Sequence, residues 1–418
     1  MALKIPPALR HRRFTILWFG LLISIAGSNM QLAAIHWHIR ELSAEPNPLA
    51  LGGIGLARIL PIVVFSLVGG AAADTYNRRT ILLVTQSMMA LCALALAVLT
   101  YTGHIQIWNI YALTAIQAGA VAFDLPARQA MVPNLVPAED LPSAFSMTSI
   151  AFNTGAILGP GLSGIVIATL GQGYTYLFNA ISYLAVIVAI LAIGSVTQDT
   201  SRSPGIRLSA ITEGVRFIFA RKIILSSMLL DFFATFFASA NTMMPIIARD
   251  ILRVGPQGYG WLTAAQPIGS VIAGLVASQA QGLRRQGRLL LGSVIIFGGA
   301  TVLFGMSDAF GAAMLTLIVM GGADAISTII RNTIRQLQTP DQMRGRMTSI
   351  NQIFFQGGPQ FGEVEAGIVA QLFGVPFAII SGGIGTILAT VLIARKWPIL
   401  RNYNGDEPLA LEAGVPAD

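Results

Sequence analysis

The sequence predicts an all-α membrane protein of twelve transmembrane helices in two pseudo-symmetric six-helix bundles. Three observations carry that expectation. The chain is 54% hydrophobic and only 11% charged, against the quarter charged that soluble domains carry. Twelve segments are long and apolar enough to cross a bilayer, at about 20 residues each. The two halves of the chain also echo each other in the same order along the sequence.

The twelve segments are 14–37, 50–73, 80–102, 106–127, 143–169, 174–196, 223–248, 257–280, 287–307, 310–333, 347–371 and 374–396. The basic start MALKIPPALRHRRF precedes the first of them. That apolar run is long and ends without a small-residue cleavage site, so it reads as a retained span rather than a leader. Residues 1–196 then form an N-terminal six-helix half. Residues 197–222 form a polar central loop, 223–400 a C-terminal six-helix half, and 401–418 a polar tail of disordered character. Basic residues fix the expected topology. With both termini cytoplasmic, 22 of the 26 lysines and arginines fall on the inner side; Arg40, Arg58, Arg249 and Arg253 remain. The same bias explains the net charge of +7 without a nucleic-acid partner. The expected location is the bacterial inner membrane.

The internal repeat has an offset of 200. Asp124 and Asp324 are so related, as are the two MTSI tetrapeptides at Met147–Ile150 and Met347–Ile350. Pro61 stands ahead of Arg78-Arg79 at the same spacing as Pro267 stands ahead of Arg284-Arg285. Two like-oriented six-helix halves are the parallel repeat of a rocker-type transporter.

The loop after the second span reads GGAAADTYNRRT, Gly69 to Thr80. It resembles the signature loop of the major facilitator superfamily, Gly-x-x-x-Asp-x-x-Gly-Arg-Arg. Gly70, Asp74, Arg78 and Arg79 match, and Asn77 replaces the small loop glycine. Asn tolerates a left-handed backbone, so the turn survives that replacement. Such a loop works as a cytoplasmic latch, made in one conformation and broken in the other. The resemblance implies that Asp74 lies opposite the N-terminus of span eleven and that Asp124 of span four lies near Arg78. Asp124 and Asp324 are expected to pair with Arg128, Arg78, Arg331 or Arg335. The plainer reading is a charged loop that obeys the positive-inside bias.

Span five contains GAILGPGLSG. It resembles the antiporter signature Gly-x3-Gly-Pro-x2-Gly-Gly through Gly155, Gly159, Pro160 and Gly164, with Ser163 at the penultimate position. Small residues at this spacing also simply allow close helix packing, and Pro160 bends the helix. Span four departs from drug–proton antiporters, which usually carry Arg-x-x-Gln-Gly: Gln117 is present but Thr114 stands where Arg belongs. FDLPARQAMVPNLVPAEDLPSAFSM from Phe123 and the stretch from Arg331 to Gly367 sharpen the resemblance. Both look like the enterobactin-exporter branch, whose members are also called transmembrane secretion effectors. The resemblance spans the chain and implies export of a siderophore, or alternatively of macrolides and other drugs.

Ionisable residues inside spans cost a few kcal/mol and are functional candidates. Asp231 lies roughly 12 Å along span seven at the usual helical rise, near the depth where secondary transporters bind substrate. Phe232, Phe233, Phe236 and Phe237 follow it and suit an aromatic or cationic amphiphile; facing lipid is their alternative. FGEVEAG places Glu363 and Glu365 in span eleven, with no other charge from Met347 to Phe373. Two positions apart on a helix is about 200° of rotation, so the two glutamates need separate explanations. Glu363 is assigned to the cavity and Glu365 to an interhelical partner, although the reverse assignment is compatible with the sequence. Arg58 is the one deep base, a counter-ion to a buried acid or a contact to an acidic substrate. His36 and His38 read as interfacial, and the single Cys92 excludes an intrachain disulfide.

No nucleotide loop, metal cluster or Ser–His–Asp grouping points to an enzyme, a cofactor or ATP-driven transport. The expected protein is a monomeric, proton-coupled exporter of a small amphiphilic aromatic compound. Glu363→Gln and Asp231→Asn are expected to slow efflux while leaving the fold intact. A non-transporting membrane sensor is the reading from another class.

Overall fold

A computed structural model describes residues 6–194, 208–279 and 284–405, and every regular element among them is helical. The described residues fall into two contact units. One is drawn from Met1–Gly205 with Ala248–Ala264, the other from Ile206–Ile247 with Ala265–Asp418.

The first unit holds α1 (Arg12–Leu42), α2 (Pro48–Thr75), α3 (Arg78–Tyr101), α4 (Ile107–Met131), α5 (Leu141–Thr169) and α6 (Gln172–Ile193). Here α1 packs against α5 and α6, α2 against α4, and α3 against α4 and α6. Phe14, Leu17, Leu82, Met131 and Val186 form part of its buried core. Large apolar side chains remain on the outer faces; Leu91 is 66% exposed. A water-facing surface would not carry rows of such residues, whereas lipid accepts them.

The second unit starts with α7 (Leu208–Ala220), an amphipathic helix in what the sequence presents as a polar loop. It continues with α8 (Lys222–Phe237), the part of α9 (Gly255–Gln279) from Ala265 onward, α10 (Gln286–Gly305), α11 (Phe310–Leu337), α12 (Asp341–Phe373) and α13 (Val375–Lys396). Its pairings match the first unit's: α8 packs on α12 and α13, and α10 on α11 and α13. Glycines set a close helix approach in each unit. A Cβ on Gly69 would overlap the carbonyl of Ala122 on α4, and one on Gly269 that of Ile318 on α11. The turns into α6 and α13 each hinge on a glycine at φ +90°, Gly171 and Gly374, with ψ of 169° and 155°. Only glycine adopts that backbone region readily.

Ten helices pass the length and hydropathy requirements for a span among the described residues. The other two expected spans exist as helices with departures. Span seven ends at Phe237 rather than near 248, and a 3₁₀ turn, a short helical turn and a π-helical turn at Ile247–Ile251 follow. Span eleven is one 33-residue helix, α12, roughly 50 Å long. Its glutamates and glutamines lower its hydropathy.

The segment Ala248–Ala264 packs on α1 and α5. The Tyr259 hydroxyl donates to the Ala33 carbonyl at 2.9 Å. The Arg40 guanidinium holds Asp250 through two hydrogen bonds of 2.7 Å and donates to the Ser43 carbonyl. The Arg40 side chain is only 7% exposed, so losing its carboxylate leaves a nearly buried charge. Asp250→Ala should therefore cost about 1.5–3 kcal/mol, the range for hydrogen bonds to charged groups. The unfolding midpoint of the purified protein checks this; an unchanged midpoint would show that the pair contributes nothing.

Candidate functional site

A charge cluster, buried except at Asp324, joins α8 and α11. Asp231, on α8, is 1% exposed and faces two arginines of α11. Arg331 NH2 lies 3.0 Å from Asp231 Oδ1, and Arg335 NH2 lies 3.7 Å from Oδ2. The same Arg331 nitrogen lies 3.5 Å from Asp324 Oδ1 and donates to Thr328 Oγ1 at 2.8 Å. Asp324, Thr328, Arg331 and Arg335 are spaced 4, 3 and 4 apart, so one face of α11 presents them all. Arg335 also donates to the Arg331 carbonyl at 3.1 Å and to the Asn351 side chain of α12. Two guanidinium groups against two carboxylates make the cluster neutral, which an apolar setting favours.

Beside Asp231, the phenylalanines of α8 form two stacked pairs at i, i+4 spacing. Phe232 and Phe236 stack at 6.0 Å with planes 14° apart, and Phe233 and Phe237 at 6.3 Å with planes 21° apart. Phe354 of α12 meets Phe232 edge-on at 6.2 Å. These are the offset and T-shaped arrangements that aromatic quadrupoles prefer.

α12 lies against α8 through two glycines. A Cβ on Gly358 would overlap Thr235, and one on Gly362 would overlap the Phe236 carbonyl. Glu363 therefore follows immediately after the tightest point of the α8–α12 crossing. Glu363 and Glu365 are both half-buried on this continuous helix. Arg58 is half-buried on α2.

The signature loop resolves into specific bonds. Asn77 does not adopt the left-handed backbone that its place in the motif suggests: with φ −62° and ψ 113° it is the N-cap of α3, its side chain accepting from the Arg79 amide at 2.9 Å. Capping needs a short polar side chain, which Asn supplies and Gly does not. Arg78 donates to the carbonyls of Ala73 and Ala130, and Arg79 to that of Ile190. Asp124, 2% exposed, pairs with Arg128 one turn on and accepts from Thr85 and Gln86 at 3.1 and 2.7 Å. Gly70 has open space around it. The Asp74 side chain lies outside the described residues.

In the antiporter-like stretch, Gly155 and Gly159 lie directly against residues of α1, and Pro160 is buried. Gly164 meets Pro256 and Gly260. In span four the matching Gln117 joins a buried hydrogen-bond chain. Gln117 accepts from Gln31 at 2.7 Å, and Gln31 in turn accepts from Asn179 at 2.8 Å. Ser182 donates to Asn179 at 2.8 Å. This neutral buried chain crosses α1, α4 and α6, and Thr114 is buried nearby on α4.

Sequence reasoning leaves the Asp231–Arg331 and Arg40–Asp250 pairs unmatched, because the partners lie far apart along the chain and no local pattern links them. Among the described residues no group of three or more His, Cys, Asp or Glu side chains is placed to hold a metal. His38 meets the Tyr176 hydroxyl at 3.1 Å.

A family model described as transmembrane secretion effector matches residues 5–407. The chain belongs to that family. Among similar proteins, the multidrug efflux pump Tap of Mycolicibacterium fortuitum is 26% identical over 401 residues, covering 93% of this chain and 96% of that one. The enterobactin exporter EntS of Salmonella typhimurium is 26% identical over 347 residues, covering 82% and 83%. Among solved structures, a POT family transporter in complex with 5-aminolevulinic acid superposes with a TM-score of 0.74 at 12% identity, covering 93% and 96%. A bacterial homolog to the human lysosomal transporter Spinster gives 0.70 at 12% identity, covering 93% and 97%. These structures share the major facilitator fold. This secretion effector is thus a multi-pass inner-membrane transporter of the exporter-like branch. It handles small molecules and is not an enzyme.

Proposed function

We propose that this secretion effector exports a small, amphiphilic, aromatic compound in exchange for protons by alternating access. A catecholate siderophore is the first candidate substrate. The observation that carries the reading is the buried Asp231–Arg331–Arg335 group beside the phenylalanine pairs, with the half-exposed Asp324 completing a neutral cluster. Arg331 lies 3.0 Å from Asp231 and 3.5 Å from Asp324, so it can pass from one carboxylate to the other. Such an exchange of partners changes which conformation is favoured. Glu363 and Glu365 are further proton or substrate groups, Arg58 is a counter-ion or a contact to an acidic substrate, and Phe232 and Phe236 offer aromatic contact. Gly70, Asp74, Arg78, Arg79, Asp124 and Arg128 act as the latch between conformations. Both termini lie in the cytoplasm, and the transporter works as a monomer without nucleic acid.

Macrolide or multidrug efflux is a second reading, favoured by the similarity to Tap over nearly the full length of both chains. Metabolite profiling of an iron-limited deletion strain separates the two. Intracellular accumulation of a catecholate with unchanged drug tolerance supports the first; lost drug tolerance without accumulation supports the second. Glu363→Gln should slow proton-driven efflux by about tenfold or more, a coupling of the usual 1–3 kcal/mol, with the unfolding midpoint unchanged. Efflux at the wild-type rate would remove Glu363 from the mechanism.

A further inference from the structure

The transport reading leaves unused the arginines at the start of α10 and the end of α13. They surround two adjoining recesses. The wider, about 400 Å³, runs between α10 and α13, with Leu291, Gly292, Val391 and Ala394 along its walls and Arg288, Arg395 and Arg401 at its mouth. The narrower, about 230 Å³, is bounded by Arg285, Arg288 and Arg401 with the amides of Asn402 and Asn404. None of these four arginine side chains is in an ion pair with a described carboxylate.

The arrangement is fixed by the fold. The one-turn helix Pro398–Asn402 lies across the start of α10, where the Gly287 amide donates to the Tyr403 carbonyl at 2.8 Å. A Cβ on Gly287 would overlap the Leu400 carbonyl. Leu400 and Tyr403 are buried beneath, so Arg401 is held beside Arg288. The positive-inside bias accounts for arginines near a membrane surface. It does not account for an apolar groove descending from them, flanked by the exposed Ile295 and Leu392.

We propose that these recesses form a binding site for an anionic phospholipid of the leaflet on the side of the chain termini. The headgroup phosphate sits among Arg285, Arg288 and Arg401, with the asparagine amides beside it. An acyl chain follows the Leu291–Val391 groove. Guanidinium forks match phosphate oxygens, and basic recesses between membrane helices suit anionic headgroups. The apolar groove selects a lipid over free phosphate, which would use only the narrower recess. The leaflet follows from the proposed orientation; the binding itself depends on neither that orientation nor the transported substrate.

The test uses the full-length protein in neutral detergent, with lipid retention read by native mass spectrometry and stability by unfolding midpoint. Phosphatidylglycerol should be retained under conditions that strip phosphatidylcholine, and should raise the midpoint where inorganic phosphate does not. R288Q/R401Q should weaken retention by about thirtyfold, two cations at the usual contribution of each, with the lipid-free midpoint unchanged. Gly292→Leu offers an independent arm. Its Cβ meets open space, so it fills the groove without a clash and should also displace the lipid. Equal retention by the R288Q/R401Q variant and the wild type, equal retention of phosphatidylcholine, or equal protection by inorganic phosphate would each overturn the proposal.

Discussion

Asp231→Asn is expected to destabilise this transporter by about 3–5 kcal/mol, the cost of removing one partner from a buried ion pair. The carboxylate is 1% exposed, and Arg331 and Arg335 beside it are 1% and 3% exposed. With Asp231 neutral, Arg331 keeps only Asp324 and Arg335 keeps no carboxylate at ion-pair distance among the described residues. Arg331→Met should be similarly harmful, because it leaves Asp231 with only the more distant Arg335, at 3.7 Å, and removes the cation beside Asp324. The double variant should lose less than the sum, since each change removes the other's stranded charge. A double-mutant cycle on unfolding midpoints measures this; strictly additive losses would mean that the pair is not coupled. This expectation replaces the view from sequence alone, in which Asp231 is a lone cavity acid whose amide variant spares the fold. It also identifies Glu363→Gln as the cleaner probe of coupling.

Gly362→Val is expected to cost about 3 kcal/mol, the upper end of overpacking penalties, and to reduce the yield of folded protein sharply. The added carbons would occupy space held by the Phe236 carbonyl and the Ser239 side chain. Backbone cannot rotate aside as a side chain can, so α12 would have to move off α8 and carry Glu363 with it. Gly357→Ala is the matched control. Its Cβ would meet Phe361 and Phe232 at 3.8–4.0 Å, ordinary contact, and Ala is the better helix former by about 1 kcal/mol. A stable Gly362→Val protein, or a Gly357→Ala protein as damaged as it, would contradict the α8–α12 crossing.

Most helices were legible because hydropathy averaged over the length of a span is a strong signal, as in α2, α6 and α13. The internal repeat was legible in scattered identities and reappears as matched helix pairings. Span seven was read too long: its composition stays apolar past Phe237, but the helix stops there and turns through Pro245. α7 was read as loop because its charges dominated the average, although Ile211, Val215 and Ile218 follow a helical period. The opposed directions of Glu363 and Glu365 required only that the segment be helical. The partners of Asp231 and Arg40 required tertiary structure, because ion pairs between distant parts of the chain leave no trace in local spacing.

The central claim is proton-coupled export, and reconstituted vesicles test it most directly. With the transporter inserted inside-out and a catecholate siderophore supplied outside, an imposed proton gradient, acidic inside, should drive uptake accompanied by proton release from the lumen. The account predicts that collapsing the gradient abolishes accumulation and that Glu363→Gln uncouples it. Accumulation at the same rate without a gradient, in wild type and variant alike, would contradict it.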